Sequence, residues 1–187
     1  MILVFYISYP LKLSLFNVYT ITASVDKCGR FVWWFDMGAF DMKELKELTP
    51  EENLRYVVWY SHCMMFDKNA QEQGVAIAES VAKIGFWAAM TMMPPKLGAK
   101  LDRLTIGVLP IKMKKFYLFD CPRWMHLMMA LMNPFISKKM KSRVLILDQD
   151  YETLYKEVGG KEYAFHSFGK RTDGALKEDL IAAQYLQ

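Results

Sequence analysis

Residues 110–148 read PIKMKKFYLFDCPRWMHLMMALMNPFISKKMKSRVLILD, and this stretch decides how the rest of the chain is interpreted. Two short apolar runs, FYLF (116–119) and VLIL (144–147), predict buried β-strands on either side of a helix. The helix, residues 123–133, is apolar almost all round, because His126 alone breaks a run of Trp, Met, Leu and Ala. Such a helix is either wholly buried or faces something apolar other than water.

The composition predicts one globular domain. The chain has 187 residues, of which 53% are hydrophobic and 24% charged, enough to bury a sizeable core. Its three cysteines are odd in number and form no CxxC pair, so neither a disulfide framework nor a zinc site is predicted. We therefore expect a reducing, cytoplasmic location.

The net charge of +4 is unevenly spread. Residues 96–143 hold eleven Lys or Arg against two Asp, a local charge of +9, so the remainder carries −5. This asymmetry predicts an anionic partner, either a lipid surface or a nucleic acid. A nucleic acid is disfavoured, because the aromatic residues lie in predicted strands and the apolar helix and do not interleave with the charges.

Elsewhere, helices alternate with strands. Thr49, Pro50 and Glu52 predict a capped helix start, and Gly159-Gly160 predicts a helix stop. Further strands are predicted at 31–35 and 74–78, and helices from Thr49 to about Phe66 and at 96–107, 151–158 and 175–186. Four strands with connections mostly too long for hairpins predict an α/β domain with a largely parallel sheet.

Catalytic motifs are absent from the sequence. There is no phosphate-binding glycine loop, no HExxH and no GxSxG. His62 and Cys63 are adjacent on a predicted helix and point in different directions. Asp120 is interpreted as a cap for the helix after Pro122, and His126 as a satisfied histidine on a helix surface. We expect no enzyme activity, no catalytic residues, no metal and no cofactor.

The stretch resembles the CRAL-TRIO lipid-binding domain family. The resemblance is carried by P-x-K-x-K-x-F-Y-L-F-D-x-P (110–122), N-P-F-I-S (133–137) and K-x-x-x-R-V-L-I-L (139–147), with D-K-C-G-R-F-V-W (26–33) in support. It implies a domain over 26–187 and leaves 1–25 as an N-terminal segment of open role: an ordered strand, a membrane-docking segment or a misassigned start. The Asp that usually closes the second strand is missing, with Glu79 and Ser80 nearby.

The resemblance implies a mostly parallel sheet floor, with helices around an apolar lipid cavity and a mobile gate helix at 122–135. The implied cavity or gate residues are Trp124, Met125, Leu127, Met128, Leu131, Met132 and Phe135. It further implies a monomer that carries a hydrophobic lipid and associates peripherally with membranes. The identity of the lipid is left open.

A basic cleft for phosphoinositide head groups is implied by one branch of the family, the tocopherol-transfer type. Its Lys, Lys and Arg match Lys112, Lys139 and Arg143. The inositol pocket of the yeast type is largely lost, because its places hold Ile111, Met140 and Arg143. Arg binds a phosphate through two parallel hydrogen bonds, whereas Lys supplies a point charge. The alternative is a regulatory or protein-interaction module on the same fold without transfer activity.

Overall fold

The computed structural model of the chain describes residues 21–37, 48–82, 84–92, 94–103 and 108–164. Strands are numbered β1 to β5 and α-helices α1 to α7 in chain order. The order is β1 (Ile21–Val25), β2 (Phe31–Asp36), α1 (Pro50–Met64), α2 (Lys68–Gln73), β3 (Val75–Ser80), α3 (Phe86–Met92), α4 (Pro95–Arg103), β4 (Met113–Phe119), α5 (Arg123–Met132), α6 (Lys138–Lys141), β5 (Val144–Asp148) and α7 (Tyr151–Val158). Short 3-10 helices follow α5 (Asn133–Phe135) and α7 (Lys161–Tyr163).

The five strands form one sheet in the order β1-β2-β3-β4-β5. β2 to β5 are parallel, and β1 pairs antiparallel with β2, so the predicted mostly parallel sheet is confirmed. β1 lies within the N-terminal segment 1–25, for which an ordered strand was one of the alternatives that the sequence left open. The predicted helix at 175–186 lies outside the described residues.

Each face of the sheet has its own core. The back face carries Val32, Trp34, Tyr117 and Phe119, and Leu154 of α7 packs against them without any exposed surface. Side chains in register share a face because neighbouring parallel strands pleat in phase. The front face therefore carries the other alternating set, which includes the row Phe35, Glu79, Leu118 and Ile146.

The front face is covered in two parts. Towards the amino ends of the parallel strands, Met64 of α1 and Ala70 of α2 pack on a cluster that includes Trp33, Ile111 and Met113. Towards the carboxyl ends, α5 packs on a second cluster of buried residues: Val81, Leu118 and Met125. The helix before β3 and the helix after β4 thus share this face of the sheet.

Local signals in the sequence are realised where they were predicted. The Glu52 carboxylate accepts a hydrogen bond from the Thr49 amide at 2.8 Å, and the Glu52 amide donates to the Thr49 hydroxyl at 3.2 Å, which together form a capping box. Gly159 ends α7 with a φ of 99°, a left-handed conformation that glycine adopts without strain. In the described ranges no helix is long and apolar enough to cross a membrane.

Candidate functional site

Helix α5 has two apolar sides. On one side Met125 and Met132, seven residues apart, are 4% and 7% exposed. On the other side Leu127 and Leu131 are 58% and 49% exposed, and Phe135 just beyond the helix is 48% exposed. The sequence left two alternatives for this helix: it is wholly buried, or it faces an apolar partner. The structure shows a helix that is buried along one side only and exposes leucine on the other.

Contacts at both ends hold α5 in place. Near its start, the Trp124 indole N–H donates to the Ile84 carbonyl at 3.1 Å. Beyond its end, the backbone N–H and hydroxyl of Ser137 donate to the carboxylate of Asp102 at 3.2 and 3.1 Å. Asp102 is a buried residue of α4. The segment from α5 to α6 is therefore tied to α4 by a carboxylate that is distant in sequence.

An aspartate follows β4 and another ends β5, and hydrogen bonds of these two residues connect the carboxyl ends of the strands. Asp120 and Asp148 adopt φ angles of 47° and 44°, and the Asp120 amide donates to the Asp148 carbonyl at 2.6 Å. The Asp120 carboxylate accepts from the Ser80 hydroxyl at 2.9 Å and from the Tyr151 hydroxyl at 2.6 Å. The interpretation of Asp120 as a helix cap was wrong: Pro122 holds the cap position of α5 without a side-chain hydrogen bond. Asp120 instead joins the sheet to α7.

The histidine and the cysteine near α5, His126 and Cys121, are not arranged for catalysis. His126 lies at the helix surface with its Nε2 3.6 Å from Asp148 Oδ1, which confirms its interpretation as a surface histidine. Burial, with the charges of Asp148, Glu79 and Asp120, raises the pKa of Cys121 to about 12, so its thiol stays neutral. Over the described residues, no three His, Cys, Asp or Glu side chains are grouped to hold a metal ion.

Glu79 is a residue whose importance the sequence analysis missed. It was noted there only as a departure from the family pattern. In the structure it lies on the front face in register with Phe35 and Leu118, and burial raises the pKa of its carboxyl to about 7. The sequence signal was a single acidic residue in an otherwise apolar strand, VAIAES, at a position that alternates with Val75 and Ile77.

Lys112, Lys139 and Arg143 lie at one end of the sheet, and together we call them the basic edge. Lys112 precedes β4, Lys139 lies on α6 and Arg143 precedes β5, and β4 and β5 are parallel neighbours. Met140, beside Lys139, packs on the cluster that contains Ile111, beside Lys112. In the part of the chain that the structure describes, no carboxylate forms a salt bridge with any of the three cations.

The implied cavity and gate residues all fall on α5 or the 3-10 helix that follows it. Trp124 and Met128 are partly buried and pack with the buried Met125 against the sheet. Met132 packs against Gly98 of α4, where a larger residue would collide with the methionine Cε. Leu127, Leu131 and Phe135 lie on the exposed side. The residues implied by the resemblance therefore divide between a sheet-facing side and an outward side.

A mostly parallel, five-stranded sheet with helices on both faces defines the class, an α/β domain. The chain belongs to the CRAL/TRIO domain family, whose model matches residues 15–166. Members of this family are lipid-binding and lipid-transfer proteins and not typically enzymes. The family that the sequence resembled is thus confirmed.

A solved structure shares this fold. The chain is similar to the crystal structure of Sfh5, with a TM-score of 0.57 and 14% sequence identity over 93% of this chain. The chain spans 65% of the length of that protein. At this level of identity the likeness shows the fold alone.

Proposed function

We propose that this protein binds a hydrophobic lipid between the front face of the sheet and its covering helices, and carries it between membranes. One observation supports this most directly: α5 buries Met125 and Met132 on one side and exposes Leu127 and Leu131 on the other. In this proposal α5 is the gate helix. It rests on the sheet in the closed form and turns its outward side into the bilayer when it opens.

The outward side of α5 suits contact with a bilayer. Leu127, Leu131 and Phe135 are each about half exposed, so moving each one from water into an apolar phase gains on the order of 1 kcal/mol. The methionines of the inward side are flexible and accept irregular apolar shapes, so they exchange protein contacts for lipid contacts at little cost. Membrane contact thus offsets the loss of packing when the gate leaves the sheet.

Cations lie close to this apolar side. Lys138 and Lys139 follow Phe135 by three and four residues and are exposed at the start of α6. Each Lys or Arg near an anionic membrane surface contributes about 1 kcal/mol. The basic edge is the proposed contact for phosphoinositide head groups, with Arg143 as the bidentate ligand of a phosphate and Lys112 and Lys139 as point charges.

Lipid occupancy is tested by mass spectrometry of an organic extract of the purified protein. The proposal expects one lipid class in near-stoichiometric amount, and expects transfer of that class from donor to acceptor vesicles. A chain that yields no lipid and transfers none would instead support the regulatory or protein-interaction module on the same fold.

Head-group recognition is tested by co-sedimentation with liposomes, using two double variants of equal charge change. Lys139→Glu with Arg143→Glu removes two members of the basic edge, whereas Lys138→Glu with Lys141→Glu reverses two neighbours in the same segment. With vesicles containing phosphoinositide, we expect the first pair to reduce binding at least tenfold more than the second, at about 1.5–3 kcal/mol per charged hydrogen bond. Equal losses would show a general positive patch and no head-group site.

The outward side of α5 is tested by a similar pair. Leu131→Asp places a charge on the proposed membrane contact, and Ala130→Asp places the same charge on an adjacent exposed position. We expect the leucine variant to lose more vesicle binding and more transfer. If both variants bind and transfer alike, the outward side of α5 is not the membrane contact.

A further inference from the structure

Glu79 is a carboxylate on the front face of the sheet, among apolar neighbours. Within β3 it alternates with Val75 and Ile77, which are 2% and 9% exposed. Across the sheet it lies between Phe35 of β2 and Leu118 of β4. A carboxylate in such a row is costly for the fold unless a partner satisfies it.

Glu79 also lies close to α5. Its neighbour Leu118 packs with Met125 of α5, and Ile146, the next residue in the same row, joins that cluster. Cys121, which joins the cluster as well, is near enough for the charge of Glu79 to raise the pKa of its thiol. The carboxylate therefore borders the part of the front face that the proposed gate helix covers.

The Glu79 carboxylate has no partner within the described residues. None of them donates a hydrogen bond to it or forms an ion pair with it, and burial alone raises its pKa. The side chain is nonetheless only partly buried. It therefore keeps surface that a bound molecule can reach. Buried polar groups in proteins are nearly always hydrogen-bonded, so a bound molecule is the expected partner.

We infer that Glu79 is the hydrogen-bonding site for the head of the bound lipid, and that this lipid carries a neutral hydroxyl as its polar group. The inference rests on the proposed function and names its ligand class. A hydroxyl donates to the carboxylate oxygen, and it accepts when the carboxyl is protonated. Because it is neutral, it adds no second buried charge that would have to be desolvated.

A phosphate head group is disfavoured at this position. It would add further negative charge beside the carboxylates of Glu79, Asp120 and Asp148. The cations of the basic edge are at the amino ends of β4 and β5, whereas Glu79 is near the carboxyl end of β3. The external contact with a phosphoinositide and the internal contact with the lipid hydroxyl thus lie at opposite ends of the sheet. The two proposals concern separate ligands.

The test compares three probes of equal chain length: tritium-labelled hexadecanol, methyl hexadecyl ether and hexadecylamine. Each is titrated onto the full chain and onto Glu79→Leu and Glu79→Gln, with the unfolding midpoint of each protein as the folding control. For the unmodified chain we expect hexadecanol to bind about tenfold more tightly than the ether, the size of one hydrogen bond to a charged group. Glu79→Leu should lose this preference and bind the ether at least as tightly, and Glu79→Gln, which keeps an acceptor oxygen, should retain part of it.

Each outcome has a distinct meaning. An equal preference for hexadecanol in Glu79→Leu, or none in the unmodified chain, would overturn the role of Glu79 and leave lipid binding intact. Tighter binding of hexadecylamine than of hexadecanol would overturn the neutral hydroxyl as the ligand class. Failure of the unmodified chain to bind any of the three probes would count against lipid binding itself, and the inference would fall with it.

Discussion

Replacing Glu79 with glutamine should stabilise the protein, and should do so most at alkaline pH. In the folded chain burial raises the pKa of Glu79 to about 7, against 4.5 for a solvated glutamate. At about 1.4 kcal/mol per pKa unit, ionisation of this carboxyl lowers the free energy of unfolding of the lipid-free protein by about 3 kcal/mol. Glutamine keeps the shape and removes the ionisation, so the variant avoids this cost.

The direction of the pH effect on stability follows from the raised pKa of Glu79. A raised pKa of an acid means that the unfolded chain loses its proton first, so stability falls as pH rises from 4.5 towards 7 and then levels off. Between pH 5.5 and pH 8.5 the advantage of Glu79→Gln over the unmodified chain should widen by about 2 kcal/mol. Asp120 and Asp148 are present in both proteins, so their own titrations cancel in the difference.

Thermal unfolding followed by circular dichroism at several pH values measures this difference. For a chain of this size 2 kcal/mol corresponds to a shift of roughly 4–8 °C in the unfolding midpoint. The exposed Glu162→Gln serves as the control, and its difference from the unmodified chain should stay flat with pH. With lipid-free protein, a flat difference for Glu79→Gln as well would refute the burial of an ionisable carboxyl on the front face that no described residue pairs.

Three further substitutions test the contacts that hold the site. Asp120→Ala should lower the free energy of unfolding by about 2–3 kcal/mol in urea titrations, because it removes two hydrogen bonds and leaves alanine at positive φ, whereas Asp120→Asn, which tolerates that conformation, should cost less than half as much. Gly159→Ala should cost about 2 kcal/mol because of its φ of 99° and a collision with the side chain of Lys27, while Gly85→Ala, which meets open space, should change stability by less than about 1 kcal/mol. Asp102→Ala should remove both hydrogen bonds to Ser137 and speed amide hydrogen exchange around the end of α5; unchanged exchange there would show that the tie does not hold the gate.

Regular elements were predictable where local chemistry decides them. The strands FVWWF and VLIL are continuous apolar runs, and the capping box at Thr49 and the stop at Gly159 are local hydrogen-bonding and backbone signals. β1 was left open as one of several alternatives because its sequence, ITASV, is short and half polar, and it becomes a strand by pairing with β2. Its Ser24 hydroxyl accepts a hydrogen bond from the indole N–H of Trp34 at 2.8 Å, a contact that no local sequence pattern predicts.

Short helices were missed for a related reason. α2 and α6 have six and four residues, and each depends on a single capping side chain, Asp67 or Ser137. Helices this short are marginal in isolation and form where the surrounding fold supports them. The sequence therefore showed the cationic residues of α6 as a charged run without showing the surface that they form.

The sequence by itself determined the α/β class, the family, the apolar character of α5 and the concentration of positive charge, because each is a property of neighbouring residues. Only the tertiary structure decided which side of α5 is buried, and that Glu79 lies on the front face with no partner among the residues the structure describes. Those properties depend on the register of parallel strands that are far apart in the chain. The pKa of Glu79 and the exposed side of α5 both depend on neighbouring residues that only folding brings together.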